Sequence, residues 1–150
     1  MPTYTCFTSP GKLTAPQKKE LADWLTTAYL EEFGLARYMT QVIFEEAAKE
    51  DRYVAGKPAR PDLVWIRCDV REGRSVEMKT RLLHRIQQGV AKIANVPKEA
   101  VWTYFCDLPP ENIMEWGHIM PPLNNTMPKD DTWFQELSDP FKEYLRQLAA

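Results

Sequence analysis

The chain has 150 residues, of which 44% are hydrophobic, 27% charged and 11% aromatic, and this composition predicts one folded domain with a single hydrophobic core. A formal charge of −2 removes the electrostatic argument for a protein that binds nucleic acid or an anionic membrane surface. No apolar run approaches the roughly 20 residues of a membrane-spanning helix, and the first residues lack the pattern of a secretory signal, so we expect a cytoplasmic protein.

Two parts of the sequence show the same order of an apolar segment, a helical pattern and a second apolar segment. In the first part the apolar segments lie at residues 4–7 and 38–44, and a Pro-Gly turn precedes the helical pattern. In the second part they lie at residues 63–70 and 101–105, and a glycine-containing turn precedes the helical pattern. Because short segments rich in β-branched and aromatic residues favour strands, each part is predicted to be a βαβ unit.

The two predicted units are related by an internal repeat. Four pairs of residues match at a constant offset of 61 residues: Thr14 with Ser75, Leu21 with Leu82, Leu25 with Ile86, and Phe44 with Phe105. We assign the first unit to residues 2–48 and the second to residues 62–108, within a single domain that covers residues 1–150.

Each predicted helix has a clear start and stop signal. Thr14 favours an N-cap, and Gln17 three residues later completes the pattern of a capping box. Ser75 provides the corresponding N-cap of the second helix. The helical patterns end at Gly34 and Asn95, two residue types that readily adopt the left-handed conformation of a helix C-terminus.

Two consecutive βαβ units with right-handed crossovers predict an α/β (α+β) fold, in which a four-stranded mixed sheet carries two helices on one face. The other sheet face then has no cover within the chain, and we expect partner subunits to cover it. Residues 109–150 begin with a proline-rich stretch and end with an amphipathic pattern at residues 141–148. They predict an ordered arm followed by a short helix.

The cysteines and histidines do not indicate a metal site or a disulfide framework. Cys6, Cys68 and Cys106 are odd in number and widely spaced, which is typical of reduced, buried residues. His84 and His118 have no partner at metal-ligand spacing in the sequence. We therefore expect no metal and no cofactor.

Pro2 is the first candidate catalytic residue. If the initiator methionine is removed, Pro2 presents a secondary amine at the start of a strand, and an unperturbed α-amine has a pKa of about 8. Burial beside cationic neighbours would lower this pKa into the range that is useful for proton transfer at neutral pH. The alternative is that proline is simply a common residue after methionine.

The segment from Arg71 to Ser75 is a candidate anion site. It joins a predicted strand to a predicted helix, so the guanidinium groups of Arg71 and Arg74 and the first helical N–H groups can converge on one anion. A planar carboxylate suits the fork geometry of arginine. The alternative is a turn that carries two solvated arginines.

Tyr104 and Glu115 are a candidate pair for activating water. Tyr104 lies in the last core strand and Glu115 in the following proline-flanked loop. A phenol and a carboxylate held together could bind and deprotonate a water molecule. The alternative places Tyr104 in the core and Glu115 on the surface.

Taken together, these features resemble the tautomerase superfamily, and more narrowly its cis-3-chloroacrylic acid dehalogenase group. The resemblance rests on Pro2 at the start of a strand, the tandem βαβ units, REGRS at residues 71–75, WTYF at 102–105 and Glu115 within NIMEWG. It extends to about residue 135. The resemblance implies a homotrimer that acts on a small carboxylate substrate with an amino-terminal proline as the catalytic group.

Carried over residue by residue, the resemblance implies that Pro2 is the proton donor or base and that Arg71 and Arg74 hold the substrate carboxylate. It implies that Tyr104 and Glu115 activate the attacking water.

The dehalogenases also use a histidine of the first helix as a carboxylate ligand, and the matching position here is Tyr29. Tyrosine donates a hydrogen bond but carries no positive charge. The resemblance therefore implies tautomerisation of 2-oxo acids, with weak hydration or dehalogenation of 3-haloacrylate-like acids. The alternative function is a non-catalytic module of the same ferredoxin-like fold that binds a small molecule or a partner.

Overall fold

The computed structural model describes residues 2–34, 36–123 and 135–149. The first unit consists of β1 (Thr3–Thr8), α1 (Ala15–Phe33) and β2 (Gln41–Glu46), followed by a hairpin of β3 (Tyr53–Val54) and β4 (Lys57–Pro58). The second unit consists of β5 (Val64–Arg71), α2 (Val76–Ala94) and β6 (Val101–Leu108), followed by a hairpin of β7 (Met114–Glu115) and β8 (His118–Ile119). The helix α3 (Asp139–Ala149) follows the second unit.

The four long strands form one mixed sheet in the order β2-β1-β5-β6. Within each unit the two strands are parallel, whereas β1 and β5 pair antiparallel at the centre, with Tyr4 opposite Cys68. The helices α1 and α2 pack against each other over one face of this sheet. The predicted four-stranded mixed sheet with two helices on one face is therefore confirmed.

The core lies between the two helices and the sheet face that they cover. Alternate residues of β1 and β5 are buried there, among them Cys6 and Cys68. Burial raises the pKa of the Cys6 thiol to about 12, so this side chain behaves as a small neutral residue. Cys106 differs from the prediction of a buried thiol, because it lies on the opposite sheet face and is only half-buried.

The helix ends follow the sequence signals closely. The hydroxyl of Thr14 accepts a hydrogen bond from the backbone of Gln17 at 3.3 Å, and the Gln17 side chain accepts one from the backbone of Thr14 at 3.0 Å. The hydroxyl of Ser75 accepts one from the backbone of Met78 at 3.3 Å. Both helices end at a left-handed residue, Gly34 or Asn95, so the predicted caps and stops are confirmed.

The internal repeat is also present in the structure, and it extends further than the sequence pattern suggests. The helices α1 and α2 each contain 19 residues and start 61 residues apart, and the hairpins start 61 residues apart as well. The turns of both hairpins have positive φ at equivalent positions, Ala55–Gly56 and Trp116–Gly117. Glu115 therefore lies on a short strand rather than in the predicted loop.

One offset differs from the rest of the repeat. Thr3 pairs with Gln41 in the first unit, and Trp65 pairs with Trp102 in the second. These pairs show that the first strands of the units are related by 62 residues and the second strands by 61. The connection between the first strand and the helix is therefore one residue shorter in the second unit, where it follows Arg71 and contains Arg74.

Two segments differ in the structure from their prediction. Residues 37–39 form a turn of 3-10 helix, so β2 begins at Gln41 rather than at residue 38. The arm after residue 108 contains the second hairpin, and its residues 124–134 lie outside the described residues. The predicted terminal helix is confirmed as α3, whose Leu145 is fully buried and whose Phe141 contacts Trp116 at a ring distance of 5.9 Å.

Within the described ranges, no helix is both long enough and apolar enough to cross a membrane.

Candidate active site

All but one of the predicted site residues converge at the end of the sheet where β1 begins and β5 ends. Thr3 pairs with Asp69 on the antiparallel strand, so Pro2 lies beside the carboxyl end of β5, where Arg71 is located. Pro2 is buried, and its carbonyl accepts a hydrogen bond from the backbone of Gln41 at 3.0 Å. The antiparallel pairing thus brings the amino-terminal residue of one unit to the arginine loop of the other.

Arg71 is a buried cation with unused hydrogen-bonding capacity. Only 6% of the residue is exposed, and its Nη1 donates to the backbone carbonyl of Pro121 at 2.7 Å. Its Nε is buried and has no hydrogen-bond partner among the described residues. Burial, and then the nearby Arg74, lower the pKa of Arg71, although a guanidinium remains charged at neutral pH. A buried donor without a partner is costly, and an anion would satisfy it.

Arg74 is held by three neighbours. Its Nη2 donates to the hydroxyl of Tyr29 at 3.1 Å, and its Nη1 donates to the backbone carbonyl of Arg71 at 3.2 Å. Its guanidinium lies 5.0 Å from the ring centroid of Phe33, within the range of a cation–π interaction. These contacts fix the orientation of Arg74 relative to the first helix.

Tyr29 links α1 to the arginine loop. The side chain is buried, and its ring contacts those of Phe33 at 4.6 Å and Tyr4 at 6.4 Å, both edge-on. Burial raises the pKa of Tyr29 well above its ordinary value, and the opposing effect of Arg74 is smaller. The phenol therefore keeps its proton and, because it accepts from Arg74, can donate that proton to a ligand.

Glu115 lies within electrostatic range of the same group. Its negative charge raises the pKa values of Arg71 and Tyr29, although burial has a larger effect on each. The residue is half-buried on β7, directly before the hairpin turn at Trp116 and Gly117. The structure therefore brings Glu115 together with Arg71, Arg74 and Tyr29, at the same end of the sheet as Pro2.

Tyr104 does not join this group within one chain. It lies on β6 opposite Arg67, four residues before the partner of Arg71, and strand residues rise about 3.3 Å each. Its ring contacts that of Trp65 on the uncovered face of the sheet, and 51% of the residue is exposed. Because side chains alternate between faces along a strand, Tyr104 points away from the helix that carries Tyr29.

The uncovered sheet face is rich in aromatic side chains. Phe7 stacks on Trp65 at a ring distance of 4.7 Å, and Trp65 contacts Tyr104 at 5.5 Å. Trp102 and Ile43 are 42% and 38% exposed on the same face. The described part of the chain thus presents a broad apolar face beside the candidate site.

Two further residues belong to the site but carry no prediction from the sequence. Phe33 follows Tyr29 by four residues, which places both rings on one side of α1, and this helical spacing could have identified it. Pro121 acts through its backbone carbonyl, so its residue type provided no signal.

Two surface grooves lie elsewhere. One of about 670 Å³ lies between α1 and β2, and one of about 350 Å³ lies beside Leu63 and Trp102.

A protein family model and a solved structure both match most of this chain. The Tautomerase_3 family model, described as "Putative oxalocrotonate tautomerase enzyme", matches residues 1–137. The crystal structure of N1, a member of the cis-3-chloroacrylic acid dehalogenase family, is similar with a TM-score of 0.84 and 32% identity over 97% of this chain and 99% of that chain.

More distant similarities agree in fold and in part of the sequence. A fused 4-OT wild type asymmetric trimer shares the fold, with a TM-score of 0.72 and 19% identity over 78% of this chain and 94% of that chain. A "Probable tautomerase" from Streptococcus mutans is 36% identical over 45 residues, which are 30% of this chain and 74% of that protein.

Proposed function

The chain belongs to the tautomerase superfamily, in its Tautomerase_3 family and cis-3-chloroacrylic acid dehalogenase-like group, and from this premise we propose that the amine of Pro2 is a general acid or base acting on a small carboxylate substrate. The reaction that the site supports best is the enol–keto tautomerisation of a 2-oxo acid. The observation that carries this proposal is the buried guanidinium of Arg71, whose Nε has no partner among the described residues and which lies at the same end of the sheet as Pro2.

The substrate carboxylate is bound by Arg71 and Tyr29. A carboxylate oxygen accepts from the unused Nε of Arg71, and the phenol of Tyr29 donates its remaining proton to the same group. Arg74 adds positive charge and keeps the phenol in position through its hydrogen bond to the hydroxyl oxygen. Charge-assisted hydrogen bonds in a buried site provide both affinity and orientation.

Pro2 transfers the proton. In the enol-to-keto direction, the neutral amine accepts the proton of the 2-hydroxyl group, and the ammonium returns a proton to C3 as the C2 carbonyl forms. The amine ends the cycle as it began. The guanidinium groups at the same end of the sheet disfavour the ammonium form, so the amine is neutral at a lower pH than a free α-amine. This step requires that Met1 has been removed.

Glu115 and Tyr104 serve a second reaction, the addition of water to an unsaturated acid. Glu115 accepts a proton from the water that attacks C3, and the ammonium form of Pro2 delivers a proton to C2. A 3-halo product then loses halide together with its hydroxyl proton, and an aldehyde forms. Tyr104 can reach a site of this kind only from a neighbouring subunit, because it lies four residues along β6 from the partner of Arg71, on the uncovered face of its own sheet. We therefore propose a homotrimer in which the aromatic faces are buried between subunits, as the trimeric state of the fused 4-OT protein supports.

The decisive experiment combines an intact-mass measurement with an absorbance assay. Protein that lacks Met1 is expected to convert the enol of phenylpyruvate, whereas protein that retains Met1 is inactive, because its Pro2 nitrogen is an amide. Pro2→Ala is expected to lower kcat by about 100-fold or more, the usual contribution of a general acid or base. Thr3→Ala is the control and should leave kcat unchanged. Saturable carboxylate binding without turnover in any 2-oxo acid or haloacrylate would instead favour a non-catalytic binding module.

Tyr29→His tests the dehalogenation part of the proposal. Histidine can supply the positive charge that tyrosine lacks, so turnover of 3-chloroacrylate should rise while turnover of the phenylpyruvate enol stays within a few-fold. Both chloroacrylate isomers should be assayed. If neither isomer is turned over faster by the variant, the missing charge does not limit dehalogenation.

A further inference from the structure

The segment from Met120 to Leu123 runs along the arginine loop. The backbone N–H of Met120 donates to the carbonyl of Ile113 at 2.9 Å, which ties the segment to the base of the second hairpin. The carbonyl of Pro121 accepts from Nη1 of Arg71 at 2.7 Å. The side chain of Leu123 lies against Gly73, one of the two residues between the arginines. The segment therefore contacts the arginine loop at two points.

The contact with Pro121 determines which edge of the Arg71 guanidinium is available. A guanidinium binds a carboxylate through two parallel hydrogen bonds, and Nε with Nη2 forms one edge that can do so. Nη1 lies outside this edge, and it is Nη1 that the Pro121 carbonyl accepts from. Nε is buried and without a partner among the described residues, so the Nε donor of this edge stays available to a carboxylate.

The packing of Leu123 depends on a glycine at position 73. The φ of Gly73 is +109°, a conformation that side chains rarely adopt, and a Cβ there would lie 3.1 Å from the Cβ of Leu123. The absence of a side chain thus lets Leu123 approach the loop closely. Pro121 and Pro122 are adjacent residues with restricted φ, so the accepting carbonyl is part of a stiff segment.

We infer that Met120–Leu123 is a brace that holds the Arg71 guanidinium ready for edge-on carboxylate binding, with Leu123 as the positioning residue. The inference rests on the carboxylate site of the proposed function and adds how that site is kept in order. The opposite arrangement, in which the Pro121 carbonyl competes with the substrate for Arg71, makes the opposite prediction, because loosening the segment would then strengthen binding.

The test is the affinity for propanoate, a saturated carboxylate that the enzyme cannot tautomerise or hydrate, measured by a chemical-shift titration. Leu123→Ala is expected to raise the Kd by about tenfold. A less ordered Arg71 guanidinium would lose about one charge-assisted hydrogen bond to the carboxylate, which corresponds to this change. Leu123→Met should bind propanoate as the wild type does, since methionine has a similar volume and keeps the packing against Gly73. Propanamide, which carries no charge, should bind equally weakly to all three proteins.

Two controls separate the brace from a loss of folding. Leu148→Ala makes the same substitution at a half-exposed position of α3 and should leave the Kd unchanged. Pro121→Gly combined with Pro122→Gly loosens the segment at two exposed positions without changing Leu123, and should also raise the Kd. Thermal unfolding of each variant should stay close to that of the wild type, because Leu123 is only half-buried.

The outcomes distinguish the brace from the proposed function. An unchanged or lower Kd in Leu123→Ala overturns the brace, and an active wild type in the same experiment leaves the proposed function intact. A tenfold rise in a protein that converts no 2-oxo acid supports the brace and counts against the enzyme. A wild type that does not bind propanoate overturns the brace, and the enol assay of the same protein then decides the proposed function.

Discussion

The two βαβ units have nearly the same backbone and different chemistry. Their helices have equal length, and their hairpins turn at equivalent positions through the same left-handed conformation. Yet Arg71 corresponds to Ser9 in the first unit, and Glu115 corresponds to Val54. The second unit therefore carries the ionic side chains of the candidate site, whereas the first contributes Tyr29 and Pro2.

The comparison teaches that a repeated scaffold does not produce a repeated site. The loop between the first strand and the helix is one residue shorter in the second unit, and this loop ends with Arg74 directly before the Ser75 cap. In the first unit the corresponding loop carries Lys12 and Leu13, and Leu13 is buried in the core. The same backbone position thus serves packing in one unit and charge in the other.

Replacing the corresponding residues Arg71 and Ser9 should give the largest difference between the units. Arg71→Ala removes the buried cation that we assign to the substrate carboxylate, and kcat/KM for the phenylpyruvate enol should fall by about 100-fold or more. Ser9→Ala should change it by less than about twofold, because surface substitutions are usually neutral. Steady-state kinetics of both variants measures the contrast; similar losses in both would remove the functional difference between the units.

The contact between the two helices allows a second comparison. Gly89 of α2 corresponds to Ala28 of α1, and a Cβ at Gly89 would overlap the indole of Trp24. Gly89→Ala should lower the free energy of unfolding by about 2 kcal/mol or more through overpacking.

Ala28→Gly is the reciprocal change and should cost about 1 kcal/mol through helix propensity. Urea unfolding of both variants gives the two values. If Gly89→Ala stabilises the protein, Trp24 moves freely and this contact does not define the helix packing.

Tyr29→Phe tests how the first unit contributes to binding. The variant keeps the ring contacts with Phe33 and Tyr4 but loses the hydroxyl that accepts from Arg74 and that we propose donates to the substrate. We expect KM for a 2-oxo acid to rise by about tenfold while kcat changes little, because in the proposed function the hydroxyl binds the carboxylate rather than the reacting carbon. An unchanged KM would leave Tyr29 with a packing role only.

The helix caps should give the smallest difference. Thr14→Ala and Ser75→Ala each remove a hydroxyl that accepts from the first turn, which costs about 1 kcal/mol of stability. The loss should be larger for Thr14, because its capping box with Gln17 is broken as well. Thermal unfolding compares the two, and a larger loss for Ser75→Ala would show that the second cap has further contacts.

Much of the scaffold could be predicted because its signals are local. Thr14, Gln17 and Gly34 act within one turn of their own helix, so their residue types are sufficient to define its ends. The short hairpins could not be predicted in this way. Ala55 and Trp116 adopt positive φ without being glycine, and such turns are imposed by the surrounding strands rather than by residue type.

The candidate site could be predicted in part. Arg71, Arg74, Tyr29 and Glu115 were expected at one site, and the structure brings them together. Tyr104 was expected beside Glu115, yet its register opposite Arg67 places it four residues along β6 from the partner of Arg71, on the face that the helices leave uncovered. A shift of one residue along a strand reverses the face, and register depends on pairing between distant segments.

By itself, the sequence determined the two units, their helices and the residue types available for carboxylate chemistry, because periodicity, caps and side-chain charge are properties of short segments. Only the tertiary structure decided which of these residues meet. The antiparallel pairing of β1 with β5 brings Pro2 to Arg71, and the chain after the second hairpin packs Leu123 against Gly73 and the Pro121 carbonyl against the guanidinium. Such contacts join residues far apart in the chain, so they depend on strand register and packing rather than on local residue pattern.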